Sequence, residues 1–117
     1  MLVCQWHLDI VYGKQAEAVR IMRAWAVEKF ASSEFRRARG SRLSAGLVGV
    51  SPSHLVDEYW FESLADFEAA LAGMAASRFR VHSDALAPCI VPGSQHWLVY
   101  RVLEAAPESV ASGPALP

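Results

Sequence analysis

Two side chains that could transfer protons lie two residues apart near the start of the chain. His7 and Asp9 belong to a segment, residues 2–11, in which apolar and polar residues alternate. That period of two is typical of a half-buried β-strand, so both side chains point to the same side. A histidine beside a carboxylate can act as a general base with a raised pKa. The same pair can instead form the polar lining of a wet interface between two subunits.

A second group of candidates lies in residues 54–62, a segment rich in β-branched and aromatic residues that is predicted to be a strand. Asp57 and Glu58 fall on opposite faces of this strand. A buried carboxylate without a partner is costly, so we expect Glu58 or Asp57 to contact His7. His7 is then the candidate base, with Glu58 or Asp9 as its orienting partner, and a purely structural ion pair is the alternative. Other basic partners are available on the neighbouring strands: His96, Arg42 and Arg101.

The remaining candidates are binding residues. Ligand pockets are mainly apolar, so Trp60 and Tyr100 are predicted to form pocket walls. His82 follows the second predicted helix, and His96 begins the last strand. The histidines lack HxH or HxxxH spacing and the two cysteines lie far apart, so no metal site is predicted. The sequence has no Gly-rich phosphate loop and no GxSxG motif, and no cofactor is predicted.

Composition limits the class of partner. The chain has 117 residues, a net charge of −1 and a hydrophobic fraction of 53%. This length fits one domain, and the balanced charge provides no basic face for nucleic acid. No apolar run is long enough to cross a membrane and no signal peptide is recognised, so a cytoplasmic protein is expected. The apolar excess is most simply covered by a second copy, so we expect a homodimer.

Four strands and two helices are predicted to position these residues. The strands are expected at residues 2–11, 42–50, 54–62 and 95–103. Gly46 within the second strand indicates a bulge or a close approach by another backbone. The helices are expected over 14–37 and 64–77, the second capped by the hydroxyl of Ser63. The predicted buried stripe of the first helix consists of Val19, Met22, Ala26 and Phe30, widened by Ala18 and Trp25.

The order β-α-β-β-α-β predicts an α+β, ferredoxin-like domain over residues 1–103. Right-handed crossovers place both helices on one face of a four-stranded antiparallel sheet. Residues 78–93 are predicted to form a short helical turn and a loop, because Pro88 and Pro92 interrupt the apolar spacing. Residues 104–117 are predicted to be a C-terminal tail. The other face of the sheet would be bare in a monomer, and we expect a second subunit to cover it.

The segment Glu58-Tyr-Trp-Phe-Glu-Ser-Leu-Ala-Asp-Phe67 resembles the aromatic–Glu–Ser–x–x–x–Phe strand-to-helix junction of the dimeric α/β-barrel superfamily. The closing strand Trp97-Leu-Val-Tyr-Arg-Val102 is also similar, and the resemblance covers residues 1–103. Relatives include antibiotic-biosynthesis monooxygenases, EthD-like proteins and NIPSNAP-like proteins. The resemblance implies two sheets packed face to face in a homodimer, with a ligand pocket between the sheet and the helices of each subunit.

Members of that superfamily range from cofactor-free oxygenases to haem degraders, dehydratases and isomerases. The resemblance therefore points to a cofactor-free oxygenase, isomerase or cyclase acting on a small apolar or aromatic molecule. A non-catalytic ligand-binding or regulatory dimer is the first alternative. A haem-binding protein is the second, because His82 resembles the haem-binding histidine of the haem degraders. Their helix tryptophan is replaced here by small residues around Ala70, and their first-strand asparagine has no match at Gln5 or His7.

Overall fold

A computed structural model describes residues 1–105, in which strands and helices form two layers. In chain order the elements are β1 (Leu2–Asp9), α1 (Gln15–Ser32), β2 (Gly40–Ala45), β3 (His54–Phe61), α2 (Leu64–Gly73), α3 (Arg80–Leu86) and β4 (His96–Arg101). The strands form one antiparallel sheet in the order β2-β3-β1-β4. The predicted α+β, ferredoxin-like fold is confirmed. Most of the predicted tail, from residue 106 onward, lies outside the described residues.

The first helix is shorter than predicted because Ser33 ends it. Ser33 adopts an extended backbone, and its hydroxyl accepts a hydrogen bond from the N–H of Phe35 at 3.2 Å. That bond begins a 3₁₀ turn over Glu34–Arg37. The predicted helix 14–37 therefore extends too far.

Other boundaries also differ from the prediction. The second helix ends at Gly73 and not at residue 77. The second strand starts two residues earlier than expected, at Gly40, and stops at Ala45. A Cβ on Gly46 would lie 2.1 Å from the carbonyl oxygen of Ser51, so the expected close backbone approach is confirmed. Residues 78–93 are more helical than predicted and include all of α3. Pro88 does not prevent this, because it occupies the start of a 3₁₀ turn, where its missing N–H is not needed.

The core lies between the helices and one face of the sheet, here called the inner face. The buried residues of α1 are Ala18, Ile21, Met22, Trp25 and Lys29. This stripe is rotated relative to the predicted one, so that Phe30 is partly exposed and Lys29 is buried. Ser63 caps α2 as predicted, since its hydroxyl accepts from the N–H of Asp66 at 3.2 Å. The opposite, outer face of the sheet carries most of the predicted site residues.

Candidate functional site

A continuous row of hydrogen bonds, here called the histidine relay, crosses the outer face from Asp9 to Glu58. The Nδ1 of His54 lies 2.7 Å from the Asp9 carboxylate, and its Nε2 lies 2.8 Å from the Nδ1 of His7. The Nε2 of His7 lies 2.9 Å from the side-chain oxygen of Gln5. The Gln5 amide then donates to Glu58 at 2.9 Å. The predicted contact between His7 and Glu58 is therefore made through Gln5.

The two ends of this row contain hydrogen-bond acceptors. The Asp9 carboxylate and the side-chain oxygen of Gln5 can each accept a hydrogen bond from the histidine nitrogen that faces them. The histidine relay therefore connects the Asp9 carboxylate to the Gln5 amide through two imidazole rings.

His7 is a weaker base than the sequence indicated. Burial lowers the pKa of His7, and the neighbouring His54 and His96 lower it further. The ring of His96 stacks on His7 at a centroid distance of 5.0 Å. The expected rise in the pKa of His7 is wrong because the adjacent carboxylate of Asp9 bonds His54 instead.

Glu58 is buried at the other end of the relay. Arg42 Nε lies 2.8 Å from its carboxylate and the indole N–H of Trp60 donates to it, also at 2.8 Å. Burial raises the pKa of Glu58, but hydrogen bonds from Gln5, Trp60 and Arg42 and the charge of Arg42 outweigh it, so the pKa lies below its ordinary value. Glu58 therefore stays ionised at neutral pH. Tyr100, also on the outer face, is largely exposed.

His82 lies apart from the outer face, on α3. Its Nε2 is 2.5 Å from Glu28, and its ring stacks on Trp25 at a centroid distance of 5.9 Å. This arrangement does not fit a haem ligand, because Nε2 is already hydrogen-bonded and one ring face is covered. Within residues 1–105, no group of three or more His, Cys, Asp or Glu side chains is arranged to hold a metal ion.

A second polar cluster lies on the inner face, at the wall of a cavity of about 170 Å³ between the sheet and the helices. We call it the sheet–helix cavity, and its walls are largely aromatic: Trp6, Trp25, Phe35 and Trp97, with Met74 and the cation Lys29. None of the candidate residues predicted from the sequence lines this cavity. The position of the cavity is the one that the superfamily resemblance implied for a ligand pocket.

Lys29 is held at this wall by two residues of β3. Its Nζ donates to the phenol oxygen of Tyr59 at 2.9 Å and lies 3.6 Å from the carboxylate of Asp57. The Tyr59 hydroxyl in turn donates to Asp57 at 2.5 Å. The ammonium also faces the ring of Trp25, with Nζ 4.6 Å from its centroid. Lys29, Tyr59 and Asp57 together are called the lysine relay below.

In the lysine relay, Asp57 is protonated more readily than an exposed aspartate beside an exposed lysine would be. Burial lowers the pKa of Lys29, and the Asp57 carboxylate only partly offsets this. Burial likewise raises the pKa of Asp57. A proton can pass from Lys29 to the Tyr59 oxygen while the Tyr59 proton passes to Asp57. This double transfer leaves a neutral amine and a neutral acid, which a low-dielectric site favours.

One more polar group at the cavity wall is unsatisfied. The indole N–H of Trp25 is buried and has no hydrogen-bond partner within residues 1–105. Buried donors are normally paired, and leaving one unpaired costs about 1–3 kcal/mol. The polar side chains of the cavity wall itself are Lys29 and Gln95, among aromatic and aliphatic neighbours.

One feature of the sequence, the scarcity of lysine, could have indicated the lysine relay, although the search for strand and helix patterns did not use it. The chain has nine arginines but only two lysines, Lys14 and Lys29. An arginine stays charged in any protein, whereas a lysine can lose its proton when it is buried. Lys29 is the buried one of the two. The expected burial of a carboxylate on β3 is confirmed for Glu58. The charged partner of Asp57, however, is Lys29 of α1 and not one of the basic residues predicted on the sheet.

These features define a ferredoxin-like α+β domain with one proton relay on each face of its sheet. Similar folds occur in two NIPSNAP proteins. One, from Agrobacterium tumefaciens, has a TM-score of 0.71 and 17% identity over 91% of this chain and 96% of that one. The other, an uncharacterised NIPSNAP domain protein from Burkholderia xenovorans, has a TM-score of 0.70 and 16% identity over 92% and 99%.

An antibiotic biosynthesis monooxygenase has a TM-score of 0.65 and 13% identity over 89% of this chain and 100% of that chain. The predicted resemblance to the dimeric α/β-barrel superfamily is thus confirmed for the fold. No protein-family model and no curated protein matches the sequence. Within residues 1–105, no helix is long and apolar enough to cross a membrane.

Proposed function

We propose that this protein is an enzyme that binds a small aromatic or apolar molecule in the sheet–helix cavity and moves a proton to or from it. An isomerase, a cyclase or a cofactor-free oxygenase would all need such a step. The observation that carries the proposal is the burial of Lys29 at the wall of an aromatic cavity, with Tyr59 and Asp57 able to take its proton. Perturbed titratable groups at a cleft are typical of active sites.

The size of the cavity supports a ligand with one aromatic ring. Its volume of about 170 Å³ slightly exceeds the roughly 150 Å³ of an engineered apolar cavity that accepts benzene. Lys29, a polar residue of the cavity wall, would bind an oxygen on that ring or on a short side chain. The ligand is therefore expected to be a hydrocarbon ring that carries a carbonyl or hydroxyl oxygen.

The lysine relay provides both directions of proton transfer. When its proton has passed through Tyr59 to Asp57, Lys29 is a neutral amine and can accept a proton from an acidic C–H or O–H of the ligand. The resulting ammonium can return a proton to another atom of the ligand. Because Lys29 is buried, its proton exchanges with a ligand in the cavity more readily than with bulk solvent.

We also propose that the outer face pairs with a second copy in a homodimer. Leu98 and Tyr100 leave apolar surface there, with exposed fractions of 38% and 54%. The histidine relay would then line the contact between two sheets, and His7, Asp9 and Glu58 would have a structural role. Proton transfer by His7 to a ligand held between the sheets is the alternative.

Titration of tryptophan fluorescence with 2-phenylethanol tests the cavity, because three tryptophans line it. We expect saturable quenching in the native protein and weaker binding in Lys29→Met. Lys14→Met is the matched control, since Lys14 lies at the exposed start of α1. Quenching that is unaffected by Lys29→Met would contradict the assignment of Lys29 to the ligand site.

Proton transfer is tested separately with phenylacetaldehyde in heavy water, by following exchange of its CH₂ hydrogens with NMR. An enzyme should accelerate the exchange, and Lys29→Met should abolish the acceleration. Binding without any accelerated exchange would favour the non-catalytic alternative.

A further inference from the structure

Lys29 has the surroundings of a nucleophilic amine. A lysine attacks a carbonyl carbon only in its neutral form, and an apolar pocket is one of the environments that provide this form. Lys29 is about 6% exposed, contacts the sheet–helix cavity and lies beside an acceptor, Tyr59, that can remove its proton towards Asp57. Each of these features would also suit a lysine that only transfers protons. Together they meet the requirements for a bond between the amine nitrogen and a carbonyl carbon.

We propose that Lys29 forms a covalent imine with an aldehyde or ketone bound in the sheet–helix cavity, an inference that rests on the proposed function of that cavity. The substrate class is therefore a small carbonyl compound with an aromatic or apolar body. Trp25 lies on α1 one helical turn before Lys29, so a single helix face supplies an aromatic wall and the nucleophile.

The atoms balance without an added oxidant or reductant. The Nζ of neutral Lys29 forms a bond to the carbonyl carbon while the C=O π electrons move to oxygen, which takes a proton from the nitrogen. Protonated Asp57, acting through the hydroxyl of Tyr59, then protonates the hydroxyl group of this carbinolamine. Water leaves, the C=N bond forms, and Asp57 becomes a carboxylate again beside the positively charged iminium. The iminium withdraws electrons from the adjacent C–H, which becomes easier to deprotonate.

The choice of lysine at this position supports the inference. Arginine provides nine of the eleven basic side chains, including those paired with Glu34, Glu58, Glu62 and Asp66. A buried cation required only for an ion pair could equally be arginine, whose planar head suits a carboxylate better. Lysine is the residue that can lose its charge and attack a carbonyl.

Reductive trapping tests the proposal, and the scarcity of lysine makes it specific. The protein is incubated with phenylacetaldehyde and sodium borohydride, and peptide mass spectrometry locates the added phenylethyl group. The 117-residue chain used in the test has two lysine amines, Lys29 and the exposed Lys14, besides its terminal amine. Lys14 is the internal reference, and Lys14→Arg removes it in a parallel sample.

We expect Lys29 to be trapped faster than Lys14, because it contacts the cavity that holds the aldehyde and because burial lowers its pKa and so increases the fraction of neutral amine. Tyr59→Phe should slow trapping at Lys29 and leave Lys14 unchanged. A purely structural Lys29 would react more slowly than Lys14, because it is buried, and that result would overturn the proposal.

The two proposals fail differently. Quenching by 2-phenylethanol without trapping at Lys29 would overturn imine formation and leave a ligand-binding cavity. Absence of both quenching and trapping would overturn the proposed function as well. Quenching and trapping at Lys29 relative to Lys14 are both measured on the native chain, so a variant that does not fold leaves these two tests intact.

Discussion

The indole ring of Trp60 on β3 lies directly over the backbone of Gly40 on β2. A Cβ at residue 40 would be 2.2 Å from two carbons of that ring, so the position admits only glycine while Trp60 stays in place. The same indole donates its N–H to Glu58. The glycine therefore allows Trp60 to reach one end of the histidine relay.

Gly40→Ala should displace Trp60 and break its bond to Glu58. We expect a loss of about 1–3 kcal/mol in the free energy of unfolding, as for other overpacked sites, and a changed tryptophan fluorescence spectrum. Urea denaturation provides the measurement. Gly73→Ala is the matched control, because an added Cβ there meets nothing within 4 Å. Equal stability of the two variants would show that Trp60 is free to move.

Lys29→Met should destabilise the fold strongly, because it leaves Asp57 buried without its cation. Removing one partner of a buried ion pair costs about 3–5 kcal/mol, whereas replacing both partners is often nearly neutral. The double variant Lys29→Met/Asp57→Leu should therefore be more stable than Lys29→Met alone. Additive losses in urea denaturation would argue against a coupled pair.

The deficit of Lys29→Met should also depend on pH. The pKa of Asp57 is raised by burial, so the folded state binds its proton more tightly than the unfolded chain does. The cost of the unpaired carboxylate is present at high pH and is relieved as Asp57 becomes protonated. We expect the difference from the native protein to shrink as the pH falls.

Glu58 should contribute stability that is lost in acid. Its pKa in the folded state lies below the ordinary value of 4.5, so the unfolded chain binds the proton first as the pH falls. The contribution is fully present above about pH 5 and declines as the pH falls through the folded-state pKa. Glu58→Gln should flatten this part of the stability profile. Glu68→Gln, at an exposed position of α2, should leave the profile unchanged.

Ser63→Ala should remove the cap of α2. The lost bond to the N–H of Asp66 is expected to cost about 1 kcal/mol. Ser63→Asp should recover most of that loss, because an aspartate can accept the same bond and suits the positive end of the helix. Thermal unfolding of the three proteins provides the comparison, and failure of aspartate to rescue would implicate some other role for Ser63.

The strands and their faces could be predicted because the period of a strand is fixed. Alternation alone placed Asp57 and Glu58 on opposite faces, and the expected need for partners was correct for both. The partners themselves depend on register and on contacts between layers. Thus His54, which lies at the end of a strand, forms hydrogen bonds with both His7 and Asp9 and so connects them.

The buried face of α1 was harder to predict because its apolar residues are compatible with two rotations of the helix about its own axis. Phe30 is apolar and Lys29 is charged, so the sequence favours burial of Phe30, yet the structure buries the lysine. Tyr59 and Asp57 make this possible from β3, more than 25 residues away in the chain. The sequence pattern of α1 alone cannot predict such a partner, because the partner belongs to another element.

The scarcity of lysine has a practical consequence for following local motion. An endoproteinase that cleaves only after lysine has two target bonds in the 117-residue sequence, one at the N-cap of α1 and one in its last turn, where the lysine is buried. Cleavage after Lys29 requires the last turn of α1 to separate from the sheet, so its rate reports how often that end of the helix opens. A ligand in the sheet–helix cavity would protect this bond selectively, and a simple gel would then reveal binding of a compound that has no colour, fluorescence or assay of its own.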